Sequence, residues 1–320
     1  MLQLLFALIV VAQTPEPSGV AQIRRDAKAM GLHVTTDLAR DFLRAGSALP
    51  EIHDRTLYQD VAKKTYLSEK AVQKLEAASR DQFKKISVDE MFYYNTRYGS
   101  PLAYARPLEL LGKSGLGDLS GRKILDFGCG GIGPMRMMAS LGAEAVGVDV
   151  DPMLSALFSE PDDLGVFKKG SVSLIIGHYP ADEAIKAKVG GSYDVILAKN
   201  TLKRGYVHPD SGRTFIDLGM SDQEVLKALF AALKPGGRLM IFNLGPAPNA
   251  PNGPYRPMAD IRCPFPHDAL KAAGFVVEAF DRDDTRAARE MGADLGWNKG
   301  EGAMDLEKDL FASYSLVRKP

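Results

Sequence analysis

The segment "ILDFGCGGIGP", residues 124–134, is where the reading of this chain starts. Its glycines, Gly128, Gly130 and Gly133, have the G-x-G-x-x-G spacing that lets a backbone turn sharply and come close to a ligand. "KILDF" before it is a short apolar strand. "PMRMMASLG" after it is a helix, with Pro134 in the first turn, Gly142 at the end, and Met135, Met138 and Ala139 at core spacing. "EAVGVDV" follows as a second strand and ends on an acid, Asp149. A carboxylate, Asp126, stands two residues ahead of the first glycine.

Outward from this unit, strands and helices alternate to the end of the chain. "PMLSALF" and "DEAIKAKVG" are helical, and "VSLIIGHY" and "SYDVILA" are strands. "SDQEVLKALFAALKPGG" is an amphipathic helix opened by a Ser221–Glu224 capping box, with Val225, Leu229 and Leu233 on one face. "RLMIFNL", "FVVEAF" and "FASYSLVRK" are further strands, with the helix "HDALKAAG" among them. The pattern predicts an α/β fold: a Rossmann-like, seven-stranded mixed sheet with helices on both faces and a terminal antiparallel hairpin. A ligand then belongs at the carboxyl ends of the strands.

Before residue 112 the pattern is helical. "TTDLARDFLRAG" has a Thr36 cap, Leu38 and Phe42 four apart, and Gly46 to stop it. "SEKAVQKLEAASRDQF" reads as a helix from Ser68 with Val72, Leu75 and Ala78 in one stripe. The expected division is a signal-peptide-like segment at 1–14, a helical cap or substrate segment at 15–112, and a core domain at 113–320. The apolar run from Leu4 to Ala12 is too short to span a bilayer. It has small residues at Val10 and Ala12 for cleavage but no positive charge ahead of it, so a buried element or an interfacial anchor is the competing reading. Export and a cytoplasmic site are both left open.

The 320 residues carry 40 basic and 40 acidic side chains. This balance gives no footprint for a polyanion, which disfavours nucleic acid. Two cysteines, Cys129 and Cys263, make no disulfide framework, and no His, Cys or carboxylate spacing points to a metal.

Two cofactors compete for the glycine loop. A nicotinamide dinucleotide places a pyrophosphate on the helix N-terminus, where the Asp126 carboxylate would repel it. S-adenosylmethionine carries an ammonium and a sulfonium, which a carboxylate suits. Either cofactor has ribose hydroxyls for Asp149 to accept. The Pro-Gly-Gly turn in "LKPGGRLMIF" and the closing strand pair favour the second cofactor. The motifs "LDFGCGGIGP", "VGVDVDPML", "SYDVILA" and "LKPGGRL" resemble those of the class I S-adenosylmethionine-dependent methyltransferases over residues 90–320. One departure is that the third glycine of that family's loop falls on Ile132, with Gly133 one step later.

The resemblance implies Asp126, Gly128 and Gly130, with Cys129 between them, at the methionine end of the cofactor, and Asp149 on the ribose. It implies Val150 and Met153 against the adenine, with further contacts at Gly177–His178 and Ala198–Lys199. "IIGHYP" lacks the family's acid for the adenine amine, and Asp182 is a distant substitute. Upstream, Tyr94, Arg97 and Tyr98 either close over the cofactor, with Arg97 pairing its carboxylate, or form an aromatic seam.

Methyl transfer needs positioning more than covalent help, and a base only where the acceptor must lose a proton. Lys199, Lys203 and Tyr206 are candidates near the reacting centre, and His208 and Asn200 are the named catalytic expectation; a loop histidine and a turn cap are the plain alternatives. The proline-rich stretch "GPAPNAPNGPYRPMADIRCPFP" is long enough to shape an acceptor pocket. No Asn-Pro-Pro-aromatic motif follows the fourth strand, so the expected acceptor is a small molecule or a protein side chain. An NAD-dependent oxidoreductase and a non-catalytic binding protein of the same fold are the alternatives.

Overall fold

The computed structural model describes residues 19–320 except 61, 63, 64, 96–98, 251 and 301, so the signal-like segment, Arg97 and Tyr98 lie outside the described residues. Strands β1 (Arg55–Asp60), β2 (Tyr66–Ser68) and β3 (Phe83–Val88) form a small antiparallel sheet in the order β2-β1-β3. Strands β4 (Lys123–Phe127), β5 (Glu144–Asp149), β6 (Ser171–Ile176), β7 (Tyr193–Lys199), β8 (Leu233–Gly245), β9 (Val276–Asp283) and β10 (Phe311–Arg318) form the large one. Its order is β6-β5-β4-β7-β8-β10-β9.

The first five of these strands are parallel. The last, β10, is antiparallel to β8 and β9 and is inserted between them. The expected mixed sheet and terminal antiparallel pair are therefore present. β7 is buried along its whole length, which is why its centre, Val195–Ala198, is an unbroken apolar run instead of an alternation.

Side-chain alternation divides the core into two layers. Ile124 of β4 and Val195 and Leu197 of β7 face a layer built from the helices Gly19–Met30, Asp37–Gly46, Ala105–Lys113 and Gly133–Ser140. Leu125, Phe127, Ile196 and Ala198 face the helices Glu183–Val189, Asp222–Ala232 and His267–Ala272. Among the described residues no helix is long and apolar enough to cross a membrane.

Thr36 caps the Asp37–Gly46 helix as expected, accepting the Ala39 N–H. Gly46 does not stop it through a left-handed turn. It is the last helical residue, and a Cβ there would lie 3.0 Å from Leu102 and 3.3 Å from Met137, so its smallness serves packing. The helix expected from Ser68 is corrected more strongly. It breaks after Gln73, only Val72 of its stripe is buried, and after a single further turn at Ala77–Arg80 the chain enters β3. β3 pairs with β1 from Phe83↔Asp60 to Val88↔Arg55, a partnership that no local periodicity encodes.

The Thr285–Asp294 helix was also not expected. Asp284, just ahead of it, takes Arg106 of the Ala105–Lys113 helix in a buried two-point ion pair, and Arg106 also meets Glu109 at 2.7 Å. Phe42 is fully buried where the Asp37–Gly46 helix packs on both Ala105–Lys113 and Gly133–Ser140. Phe42→Ala is expected to lower unfolding stability by about 3–5 kcal/mol in a denaturant titration, while Val166→Ala at an exposed site changes it by less than about 0.5 kcal/mol.

Candidate functional site

The glycine loop is tied to β5 at two levels. Gly128 donates its N–H to Val148 O at 2.8 Å, and Gly130 donates to Asp149 Oδ2 at 2.8 Å. Both glycines have positive φ, +72° and +62°. A Cβ on Gly128 would lie 2.3 Å from the Thr201 hydroxyl, so this site also needs bare backbone. The displaced third glycine has a steric explanation. A Cβ at Gly133 would sit 2.1 Å from the Tyr94 carbonyl oxygen, whereas Ile132 has ordinary helical φ, ψ and a fully buried side chain.

Asp149 is fixed before any ligand arrives. Its second oxygen, Oδ1, accepts the Asp151 N–H at 2.9 Å. Each carboxylate oxygen keeps a further lone pair for a hydroxyl donor. Beside it Val150 is 57% exposed, an apolar surface at the opening.

These groups border a cleft of about 570 Å³ at the carboxyl ends of β4–β7. Of the expected cofactor residues, Gly128, Gly130, Asp149, Val150, Met153, His178 and Lys199 line it, and Gly177 joins them. Asp126 and Cys129 do not line it. Asp126 is 1% exposed because it shares a face with Ile124, toward the N-terminal helices, and Cys129 is buried beside the bare Cα of Gly147. Burial pushes the Cys129 thiol far up and that of Cys263 to about 12, as suits packing and not reactivity. Ala198 is buried on the opposite face of the sheet.

Other expectations are corrected by position. Tyr94 is fully buried and donates to Pro50 O at 2.6 Å, with its ring edge-on to Tyr93 at 5.1 Å, which is the seam reading. Asp182 caps the Glu183–Val189 helix through the Ala184 and Ile185 N–H groups. His208 is outside the cleft lining, with Nε2 2.7 Å from Asp222 Oδ1. Asn200 lines the cleft, but in a left-handed conformation (φ +60°) with Oδ1 accepting the Leu244 N–H at 2.6 Å. That bond makes it a turn residue that aims the end of β7.

Sequence reasoning missed Phe92, Asn95, Thr201 and Phe215, which also line the cleft. Asn95 carries a buried Oδ1 with no partner. Met258 reaches the cleft from the proline-rich stretch, so that stretch does shape the pocket.

The charged groups are arranged unusually. The Asp126 carboxylate accepts the Tyr104 hydroxyl at 3.1 Å on Oδ1, and its Oδ2 has no partner. Burial pushes its pKa up to about 7, against the pull of Tyr104 and Lys199. Lys199 Nζ lies 5.4 Å from the centre of the Tyr104 ring, and burial pushes it down to about 8. Lys203 Nζ donates to Leu244 O at 2.6 Å and is likewise pushed down to about 8, first by burial and then by Lys199.

No protein-family model matches the chain. The ubiquinone biosynthesis O-methyltransferase of Cupriavidus pinatubonensis is 29% identical over 146 residues, 45% of this chain and 50% of that protein. The magnesium-protoporphyrin O-methyltransferase of Rhodobacter capsulatus is 34% identical over 104 residues, 32% of this chain and 42% of that protein. The chain thus spans half or less of the length of these relatives. A structure of Haemonchus contortus phosphoethanolamine N-methyltransferase 2 with S-adenosyl-L-methionine aligns at TM-score 0.44 and 13% identity, over 85% of this chain and 70% of that one. A sheet that ends by inserting its last strand antiparallel, in place of a second mononucleotide-binding half, agrees with the motifs and with the two sequence relatives, so the chain is similar to the class I S-adenosylmethionine-dependent methyltransferases.

Proposed function

We propose that this chain transfers the methyl group of S-adenosylmethionine to a small-molecule acceptor. The observation that carries the reading is the Asp149 carboxylate, locked by two N–H donors at the cleft mouth beside the exposed Val150. In this reading Asp149 takes the ribose hydroxyls, while Val150 and Met153 offer an apolar surface to the adenine. Gly128 and Gly130 let the backbone approach the methionine portion. When bound, the sulfonium supplies an electrophilic methyl group for in-line displacement. The residues of the chain contribute orientation and the exclusion of water.

Asp126 acts in this scheme from beneath the lining. Its negative charge favours a cationic ligand over a pyrophosphate through the low-dielectric interior. The neutral overall charge fits a small molecule better than a nucleic acid.

Calorimetry with S-adenosylhomocysteine and with NAD tests the assignment. Heat is expected with the first and none with the second, and the reverse result overturns the reading. Asp149→Ala is expected to weaken S-adenosylhomocysteine binding about 10–100-fold, because hydrogen bonds to a charged group contribute about 1.5–3 kcal/mol.

Asp126 also gives a pH signature. The folded state holds a proton that the unfolded chain releases near pH 4, so this group's contribution to stability falls as pH rises toward about 7. Asp126→Asn removes that loss. The Tm of the variant minus that of the wild type is expected to be small at pH 4.5 and to grow steadily up to pH 8, as read by calorimetric scans.

A further inference from the structure

The cleft is open and much of its lining is apolar. Three of its side chains are large, hydrophobic and exposed: Phe92 at 39%, Phe215 at 62% and Met258 at 57%. They come from three separate segments, the Glu90–Tyr94 helix, the loop after His208 and the proline-rich stretch, and they converge on one opening. Solvent-exposed apolar groups gathered at a cleft are the usual mark of a site for an apolar ligand. Phe215 is held in place: its N–H and that of Ile216 donate to Tyr206 O at 3.0 Å, and its ring lies 5.6 Å from that of Tyr206.

One cation lines this cleft from within. Lys199 is 8% exposed, and among the described residues its ammonium makes no ion pair. Asp126, Tyr104 and Lys203 lie near it, while Asp149, Asp151, Asp217 and His178 line the same cleft. The Asn200–Leu244 bond fixes the turn directly after Lys199 and so holds the end of β7. Lys199 is thus buried against an apolar cleft with Asp126 acting on it only through space, so its amine is placed to take a proton from a ligand and to hold the anion that results.

Resting on the methyltransferase reading, we infer that the acceptor is an apolar, ring-bearing molecule whose reacting group is an acidic hydroxyl, phenolic or enolic, bound as its oxyanion by Lys199. Neutral Lys199 takes the hydroxyl proton and becomes the ammonium. An oxygen lone pair then forms the O–CH3 bond as the C–S bond breaks, and that bonding pair stays on sulfur as a neutral thioether. Lys199 afterwards returns its proton to solvent. Burial, which holds Lys199 down near 8, makes the amine available close to neutral pH.

The test uses 4-nitrophenol, whose ionised form is coloured, with 4-nitroanisole and 4-nitroaniline as arms, on the full chain. Wild-type protein is expected to bind the phenol as its anion, moving the apparent ionisation of the dye to lower pH. Lys199→Met should abolish that shift and weaken binding tenfold or more, Lys199→Arg should retain the shift, and 4-nitroanisole should bind both variants alike. Phe215→Ala should weaken the phenol and the ether equally. S-adenosylhomocysteine calorimetry on each variant separates the two proposals. No binding to any form overturns the methyltransferase reading, whatever the dye does. Intact binding by Lys199→Met together with an unchanged dye shift overturns the role given to Lys199, and tighter binding of the aniline than of the phenol overturns the hydroxyl class.

Discussion

Two hydrogen bonds, from Gly128 to Val148 O and from Gly130 to Asp149 Oδ2, fold the loop after β4 back onto the end of β5. Both require positive φ, which only glycine adopts without strain. Once they form, the bare Cα of Gly128 faces the Thr201 hydroxyl, which donates to Gly128 O at 3.3 Å. The ends of β4, β5 and β7 are thereby joined around one opening. Asp149 is oriented as a consequence of loop closure, so its readiness for a ligand is part of the folded state.

The N-terminal segment completes the site from the other side of the sheet. Period-two alternation turns Asp126 and Lys199 onto the face that these helices cover, and Tyr104, from the Pro101–Tyr104 turn, lies against both. The seam is anchored further out by Asp163, which accepts the Tyr93 hydroxyl at 2.8 Å and meets Arg55 of β1 at 2.7 Å. The small sheet is therefore tied to the loop that follows the Pro152–Leu157 helix along the cleft. From this N-terminal region Phe92 and Asn95 also reach the cleft lining.

What was legible in the sequence follows the range of the interactions. The succession of the large sheet's strands along the chain, the Ser221–Glu224 capping box and the Pro134 helix start are decided within a few residues and stand where the pattern puts them, although Leu233, expected on the helix face, is extended and opens β8. β1 and β3 are decided by partners more than twenty residues apart, so their charged, half-exposed sequences gave no periodic signal. The same limit hid Phe215 and Met258, which lie in segments without pattern and gain meaning only by converging. Asp126 illustrates a subtler failure. Its place in the motif points to the ligand, but strand alternation sends its side chain beneath the lining.

The pairing of Asp126 with Lys199 is costly as a structural device. Burial raises the acid and lowers the amine, so each charged form is disfavoured where it sits, and Tyr104 stands between them without closing a direct ion pair. Replacing such groups with apolar residues of similar volume often stabilises a fold. A core that instead places an acid and an amine, both titrating within about a unit of neutrality, next to an open apolar cleft has the arrangement expected of a site that moves protons and binds charge. The opposed shifts also suit the proposed ligands: a cationic donor favours ionised Asp126, and an oxyanion favours protonated Lys199. Each ligand would then relieve the burial cost of the residue nearest its own charge, so the strain of the empty cleft becomes selectivity for a filled one.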